Sequence, residues 1–415
     1  MSSKSADPAV SRKNIDFVSR SDQGGRGDGV QIMVYNGHAY IGHMFSNGVT
    51  VLNVEDARNP KPVHFIPAPP NTWSLHLQAA DDLLLVVNAA NLFATVTDEK
   101  SYYGGSITNA FSGESRNFTA GLRIFDISEP ANPRETGFMP VSGLGLHRIW
   151  YVGGPYAYVS AQLAGYTDYI FMVVDVSDAT RPHEVGRWWL PGMWEAGGET
   201  PAWETGSYRY ALHHAIVADN IAYGTWRDGG LTLLDVSDPR QPSLLAHRNW
   251  CPPFGGGTHS SLPLPDRQLA IVQDEGIADN CGDGIKYTWV VDVREPTNPV
   301  TISTLPTPTE EDYCAKGAHF GPHNLHENRP GSFQSSEVVF TTYQNAGVRV
   351  FDVKNQFQPI EIAHYVPPDP ERMYDTRPNR TPVIQSCDVF VDQQGLLYVT
   401  DYNAGLYILE YTGRR

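Results

Sequence analysis

The sequence lacks long apolar runs and is poor in basic residues. No segment of the 415 residues approaches the roughly 20 apolar residues that a membrane-spanning helix needs. Lys and Arg number 30 against 46 Asp and Glu, which gives a formal net charge of -16. A field of that sign repels phosphate backbones. We therefore expect neither a membrane nor a nucleic acid among the partners of this chain.

Cysteine is also scarce. Cys251, Cys281, Cys314 and Cys387 show no CxxC spacing, which fits reduced thiols better than a disulfide framework. The N-terminal residues MSSKSADPAVSRKN contain no apolar run of the kind found in a signal peptide. Together these features predict a cytoplasmic protein.

Familiar catalytic motifs are missing as well. The sequence has no P-loop, no HExxH, no Rossmann fingerprint and no GxSxG in a strand-turn-helix setting. It has no long stretch of helical period, whereas its 38 Gly and 31 Pro indicate many turns. Aromatic residues, at 11%, favour strands. The expected fold class is therefore all-β.

One phrase recurs along the chain, an apolar strand ending in apolar-Asp-apolar, then a polar turn with proline, then a second short strand. Its marker residues are spaced by roughly 50 to 75 positions, the scale of a propeller blade. The copies have Asn53, Asp126, Asp175, Asp235, Asp292, Asp352 and Glu410 at the marker position. We predict a seven-bladed β-propeller of four-stranded antiparallel blades.

The two ends of the chain predict how the ring closes. The last copy, GLYILEYTG, has no fourth strand after it, and NIDFVSR at residues 14–20 is a spare strand before the first blade. We expect the N-terminal strand to complete the last blade, because closure removes exposed sheet edges. Residues 1–415 then form one domain, with 1–12 disordered, 13–29 the closing strand and crossover, and 30–412 the blades.

Two of the copies carry a family resemblance. VVDVSDATRP and LLDVSDPRQP resemble the LVIVD repeat of bacterial and archaeal β-propeller proteins. The resemblance implies the propeller fold and extends over nearly the whole chain. It implies no particular activity, because fold does not determine function.

The first strand of each blade lines the channel of a propeller, and histidine recurs at the start of these strands. Five of the seven predicted blades have it in one register: His76, His147, His213, His259 and His323. Gln31 and Cys387 occupy the position in the other two. Converging imidazoles repel when protonated and are costly when buried without partners. We therefore predict a transition metal on the axis, Fe or Cu before Zn.

Neighbouring residues of a strand face opposite sides, so only one residue of the pair His213 and His214 is expected to face the axis. The shared Leu-His phrase favours His213, and a slip of one residue would reverse the assignment.

The ends of the second strands form another expected ring at the same mouth. We predict catalytic roles for Asp274, Glu275, Arg227 and Tyr402, with Asp228 and Glu327 as further acid-base candidates. The expected substrate-binding residues are His43, Asn88, Gln162, Trp226, Tyr343 and Gln344. Three insertions, at residues 91–118, 190–210 and 307–321, are expected to wall the same mouth, with Tyr102, Tyr103, Trp194 and Trp203 in the wall.

Three functions compete. The first is a metal-dependent oxidoreductase of oxygenase or oxidase type that acts on a small organic molecule. Its predicted architecture is similar to that of the seven-bladed carotenoid-cleavage oxygenases, whose iron is held by four axial histidines, and of selenium-binding-protein oxidases. The second is a metal-dependent lyase or hydrolase with Asp274 or Glu275 as base. The third is a non-catalytic interaction scaffold, which the histidine register disfavours.

Overall fold

The computed structural model describes residues 7–92 and 117–413, and it confirms the predicted all-β class. The described helices are short: Tyr313–Lys316 is α-helical, and Glu195–Gly197, Pro265–Arg267 and Asp279–Cys281 are single 3-10 turns. Across the described ranges, no helix is long and apolar enough to cross a membrane.

The strands pair antiparallel in consecutive groups, and each group meanders outward from an inner strand. The first group consists of β3 (Gly29–Tyr35), β4 (His38–His43), β5 (Gly48–Asn53) and β6 (Lys61–Pro67). The second consists of β7 (Thr72–Ala80), β8 (Leu83–Ala90), β9 (Gly121–Asp126) and β10 (Arg134–Pro140). The third consists of β11 (Gly145–Trp150), β12 (Tyr156–Gln162), β13 (Ile170–Asp175) and β14 (His183–Trp188).

The next two groups repeat the pattern without an added strand from elsewhere. They are β15 (Tyr210–Ala218), β16 (Ile221–Arg227), β17 (Leu231–Asp235) and β18 (Ser243–Arg248), then β19 (Thr258–Leu264), β20 (Leu269–Asp274), β21 (Thr288–Asp292) and β22 (Val300–Thr304).

The last two groups each have three of their own strands and take a fourth from the N-terminal segment. β23 (Val338–Thr342), β24 (Val348–Asp352) and β25 (Ile360–Val366) are joined by β1 (Ser11–Lys13), while β26 (Ser386–Val391), β27 (Leu396–Asp401) and β28 (Gly405–Tyr411) are joined by β2 (Ile15–Ser21).

The pairing of β2 with β28 runs from Ile15 opposite Tyr411 to Ser21 opposite Leu406, the partners expected from the sequence. Strand β1 was not foreseen, and Ser11 lies opposite Val366 at the outer edge of the preceding group. The segment expected to be disordered, residues 1–12, overlaps β1 at its last two residues, and residues 1–6 lie outside the described part of the chain.

The middle strands are buried on both faces, and the outer strands are partly exposed. Strand β13, IFMVVD, is buried along almost its whole length, whereas β6, KPVHFIP, is exposed at its first three residues. Burying apolar side chains on both faces stabilises each group by about 25 cal/mol per Å² removed from water. The core therefore lies between neighbouring sheets, and each sheet depends on the next one for its burial.

The polar turns after the middle strands follow the chemistry that the repeat predicts. The carboxylate of Asp126 accepts hydrogen bonds from the backbone N–H and the hydroxyl of Ser128, and Asp175 does the same with Ser177. Such side-chain turns satisfy backbone groups locally. The recurring aspartate is therefore a turn residue in these copies.

The cysteine expectation is wrong for two of the four residues. Cys281 and Cys314 form a disulfide, with their Cα atoms 5.4 Å apart, while Cys251 and Cys387 are free and buried. The bonded pair is separated by 33 residues and joins the 3-10 turn Asp279–Cys281 to the short helix Tyr313–Lys316. Sequence spacing gives no sign of such a contact, and the cysteines no longer support a reducing compartment.

Candidate metal and ligand site

Neighbouring groups of strands are linked at one end of the molecule. The end of a second strand pairs with the start of the next inner strand, as in His43 with Ser74, Ala89 with Gly145 and Arg227 with Thr258. The ends of second strands and the starts of inner strands therefore share one mouth, as the repeat predicts.

The inner strands are irregular at the histidine position. Their pairing shifts register between Trp73 and His76, between Tyr210 and His214, and at the matching place in several other groups. A bulge of this kind adds one residue to a strand and turns its side chains. The expectation that only His213 or His214 faces inward is therefore wrong.

His213 and His214 contribute to two successive layers of the interior. His213 lines the cavity at the mouth. His214 lies deeper, with its Nδ1 3.4 Å from Nη2 of Arg148 and its Nε2 3.9 Å from Oε1 of Glu327. Strict alternation along a strand fails here because the strand is bulged.

The five histidines of the predicted register converge on the mouth, and we call this set the histidine arc. Their rings contact one another in chain order. The ring centroids are 4.6 Å apart for His76 and His147, 4.9 Å for His147 and His213, 3.6 Å for His213 and His259, and 4.6 Å for His259 and His323.

Backbone carbonyls of the neighbouring inner segment orient four of these rings. A carbonyl oxygen only accepts, so the Nδ1 atom that contacts it carries the proton. The four bonds are His76 to the carbonyl of His147 at 2.5 Å, His213 to that of His259 at 2.7 Å, His259 to that of His323 at 2.7 Å, and His323 to that of Cys387 at 2.5 Å.

With Nδ1 protonated, a neutral imidazole presents the lone pair of Nε2. Burial holds the pKa of His76, His147, His213 and His259 well below the usual range, so these rings are neutral. Hydrogen bonding of the second ring nitrogen is the usual arrangement around a metal-binding histidine. The partners here are backbone carbonyls.

Glu275 instead lies among the Nε2 atoms. Its Oε2 is 3.3 Å from Nε2 of His259, and its Oε1 is 3.2 Å from Nε2 of His323. Ligand atoms of these three residues all lie within 4.8 Å of one another. Two imidazoles and one carboxylate form a donor set that fits a transition metal ion.

The surroundings of Glu275 keep its carboxylate charged. Burial alone would raise its pKa, but His259, Arg227 and His323 outweigh burial and hold the pKa of Glu275 well below its usual range. Arg227 donates to Glu275 from Nη1. The backbone of Arg227 has a φ of 49°, a left-handed conformation that costs a non-glycine residue about 1–3 kcal/mol. Gln344, at the matching turn of a later group, has a similar φ of 46°, so this conformation belongs to the turn.

Burial also lowers the pKa of His323, but contacts with Cys387 and Glu275 outweigh it and raise this pKa to about 10. His323 thus differs from the other four rings, because it holds a proton beside the carboxylate. A cation that replaced this proton would find Glu275 and the imidazoles of His323 and His259 already together.

The arc opens into a cavity of about 140 Å³. Of the predicted catalytic residues, Arg227, Glu275 and Tyr402 line it. The other lining residues are mainly apolar, together with arginines and one further histidine. They include Val30, Met44, Trp73, Leu75, Leu92, Tyr169, Ala211, Leu212 and Ile277, and also Arg209, Arg377, Arg380 and His319.

Asp274 does not line the cavity. Its carboxylate accepts from the indole N–H groups of Trp250 and Trp289 and from the hydroxyl of Thr258. Burial raises the pKa of Asp274 to about 7, although these hydrogen bonds oppose the rise. The side chain lies outside the cavity lining, where its hydrogen bonds link Thr258 of β19 and Trp289 of β21.

The six expected substrate-binding residues also lie outside the cavity lining. They are buried between sheets because the last residue of a second strand packs against the next group. His43 bonds Thr50, Asn88 accepts from Ser74, Gln162 accepts from the N–H of Leu144, Trp226 donates to Thr232, Tyr343 is buried against Phe320 and Phe351, and Gln344 donates to the carbonyl of Gly276.

The insertions contribute fewer aromatic side chains to the cavity lining than expected. Trp194 is 40% exposed, and Trp203 stacks on Tyr210 at 4.3 Å beside a different cavity. Tyr102 and Tyr103 lie outside the described residues. The insertions instead contribute Arg209 and His319 to the site cavity, two residues that sequence reasoning passed over.

Arg377 and Arg380 were also missed. They lie in the loop between β25 and β26. In the repeat pattern this loop only connects two predicted blades. A concentration of arginine just before an inner strand, in RMYDTRPNR, is the signal that could have identified them.

A second polar layer lies beneath the arc. Glu327 accepts from Nε2 of Gln78 at 3.0 Å and lies 3.5 Å from Nη2 of Arg148. Arg329, two residues further along, donates to the carbonyls of Ala79 and Tyr151. The segment 327–329 therefore spans the interior below the histidines.

A model of the LVIVD repeat matches residues 117–139, 148–189 and 215–247. The chain therefore contains LVIVD repeats across residues 117–247, a repeat family typical of β-propellers. The predicted resemblance is confirmed. A search of curated proteins finds no match to this chain.

Solved structures similar to this chain include propellers. The β-propeller domain of Cps50 (Swd1) from Myceliophteria thermophila has a TM-score of 0.53 at 9% identity, covering 93% of this chain and 98% of that chain. The WD40 repeats of RRP9 give 0.54 at 9% identity, covering 97% and 98%. The periplasmic gluconolactonase PpgL of Pseudomonas aeruginosa gives 0.52 at 11% identity, covering 97% of each. At these identities the likeness shows a propeller-like fold alone.

Proposed function

We propose that this chain is a metal-dependent enzyme of oxidoreductase type that acts on a small organic molecule. The observation that carries the proposal is the grouping of His259, Glu275 and His323 at the bottom of a cavity. Two histidines and one carboxylate with open positions suit non-haem iron that reacts with dioxygen. An interaction scaffold needs no such group.

The remaining histidines of the arc extend the site to one side. His147 and His213 bring their Nε2 atoms within 3.1 Å of each other, and His213 stacks on His259. These neutral rings keep further nitrogen donors beside the three-residue group. Imidazole nitrogens suit Fe, Cu and Zn, and we place Fe or Cu first because two histidines and one carboxylate are the ligand set of iron oxygenases.

A metal-dependent hydrolase is the second candidate. Two His and one Glu are also the ligand set of several zinc hydrolases, and the gluconolactonase of Pseudomonas aeruginosa has a similar fold. In that case Arg227 beside Glu275 would stabilise an oxyanion that develops near the metal.

The propeller that holds this site has, in our proposal, seven blades closed by the N-terminal strand. The support is the pairing of β2 with β28, which joins the two ends of the chain in one sheet. Closure would keep the inner segments that bear the arc at fixed distances around the axis.

Metal loading followed by two activity screens tests the proposal. We would produce the full chain in medium supplemented with Fe, Cu or Zn, and measure metal per chain. Dioxygen consumption with a library of small organic substrates should then appear in the Fe or Cu form. Lactone or ester hydrolysis without dioxygen uptake would favour the hydrolase, and a protein without metal or either activity would favour the scaffold.

A further inference from the structure

The lining of the cavity combines two chemically different sets of residues. The apolar set includes Val30, Met44, Trp73, Leu75 and Leu92, from the groups β3–β6 and β7–β10. The cationic set is four arginines, which we call the arginine rim: Arg209, Arg227, Arg377 and Arg380. We infer that the ligand is an organic monocarboxylate with an apolar body, and this inference rests on the proposed function of the same cavity.

The first step of the argument is how the rim is held. Arg209 donates to Asp168 from Nε at 2.8 Å and from Nη2 at 3.1 Å, and Arg377 donates to Asp375 from Nη2 at 2.7 Å. Asp168 and Asp375 are not part of the cavity lining. A carboxylate outside the lining therefore holds each guanidinium in place at the cavity. A side chain that is already held in place loses less conformational entropy when a ligand binds.

Arg380 adds an independent observation. Its Nη1 is 3.2 Å from Oδ1 of Asp279, which positions the side chain. Its Nε is buried and has no acceptor among the described residues. A buried donor without a partner costs free energy, about 1–3 kcal/mol or more for a charged group. Arg380 also lines the cavity, so its guanidinium lies within reach of a ligand there.

The lining of the cavity is rich in arginine. Among the residues that the structure describes, four arginines and one carboxylate, that of Glu275, line it. Glu275 is already engaged by Arg227, His259 and His323. Arg209, Arg377 and Arg380 each have a carboxylate partner outside the lining. What favours a carboxylate ligand is therefore the planar donor fork of these arginines, which matches a carboxylate better than a point charge does.

The apolar lining residues indicate the chemistry of the part of the ligand that carries no charge. Side chains of Val30, Met44, Leu75 and Leu92 offer no strong hydrogen bond to a ligand. A polyol such as a sugar acid would lose its hydration there without replacement, at a cost of about 1–3 kcal/mol per hydroxyl group. A hydrocarbon or aromatic body avoids that cost and gains from burial.

Calorimetry with matched acids and amides tests the inference on the full chain. We would titrate phenylacetate, hexanoate, their neutral amides phenylacetamide and hexanamide, and the polyhydroxylated acid gluconate. Each apolar acid should bind roughly tenfold or more tightly than its amide, and more tightly than gluconate, because charged hydrogen bonds to arginine discriminate by about that factor. Equal binding of acid and amide, or preference for gluconate, would overturn the inference.

Two variants test the assigned arginines. Arg209→Gln and Arg380→Gln should each weaken acid binding roughly tenfold and leave amide binding unchanged. Arg134→Gln is the matched control, because Arg134 is exposed and pairs with Asp126 away from the cavity. Acid affinity that is insensitive to both rim variants would overturn the inference. If a rim variant fails to fold, the acid-amide comparison on the unaltered protein decides.

Metal content measured on the same preparations separates this inference from the proposed function. Acid selectivity in a protein that binds no metal would keep the carboxylate site and reject the metal enzyme. Metal binding without acid selectivity would keep the metal site and reject the carboxylate ligand.

Discussion

The bottom of the cavity and its rim are built in different ways. The histidine arc lies on the inner segments, and backbone carbonyls of neighbouring segments orient its rings. Three of the four rim arginines, Arg209, Arg377 and Arg380, lie on loops, and carboxylates hold them. The bottom therefore depends on the packing of the sheets, and the rim depends on loop contacts.

The difference divides the chemistry of the site. Neutral nitrogen donors fixed by backbone suit a cation such as a metal ion. Guanidinium groups fixed by carboxylates suit an anionic ligand. Changes in the sheets should act on the metal and on stability, and changes in the loops should act on ligand binding.

The largest effect should follow from deletion of residues 1–20. This removes β1 and β2 and leaves β25 and β28 without their outer partners. Exposed edges and lost burial should make the protein insoluble or lower its melting temperature by more than about 10 °C. Deletion of residues 1–6 is the control and should leave melting unchanged. Normal melting of the longer deletion would contradict ring closure by these strands.

The sequence predicts the bottom of the cavity well because the repeat fixes both strand order and register. Once the strands are aligned, His76 to His323 fall at equivalent positions and must converge. The bulges are not visible in the sequence, and they explain why His214 faces the interior together with His213.

Of the four rim arginines, only Arg227, at the end of β16, was predicted from the repeat. Arg209, Arg377 and Arg380 lie in loops, where no repeat relates one residue to another. The disulfide between Cys281 and Cys314 has the same origin, because it joins two segments that meet only in the folded chain. The six predicted substrate-binding residues do not line the cavity, because the ends of the second strands are buried where neighbouring groups pack together.

The next effect concerns the disulfide beside the rim. Asp279, which contacts both Arg380 and His319, lies two residues from Cys281. Replacing Cys281 and Cys314 by Ser should lower the free energy of unfolding by about 2–4 kcal/mol and weaken acid binding. Metal content should stay unchanged. Denaturant unfolding with and without reductant checks this, and reductant should alter only the unsubstituted protein.

A smaller effect is expected from His147→Ala. Nε2 of His147 faces His213 rather than Glu275, at 3.1 Å. Loss of this ring should weaken metal binding by about tenfold, within the range that outer partners contribute. A competition titration with a chelator measures the change. Complete loss of the metal would instead place His147 among the direct ligands.

The smallest effect should come from Asp168→Asn. The carboxylate of Asp168 orients Arg209 without lining the cavity. Its loss should weaken acid binding by about threefold to fivefold, less than the loss of Arg209, because the guanidinium remains but is less fixed. Calorimetry with phenylacetate gives the value. An effect as large as that of Arg209→Gln would mean that Asp168 acts through more than position.

The central claim is that His259, Glu275 and His323 hold a transition metal. The most direct measurement is the metal content of the purified full chain and of three variants, by inductively coupled plasma mass spectrometry. We predict close to one metal per chain in the unsubstituted protein and in Cys387→Ala, and loss of most of it in His259→Ala and Glu275→Gln. Near-stoichiometric metal in both of these variants, or none in the unsubstituted protein, would contradict the account.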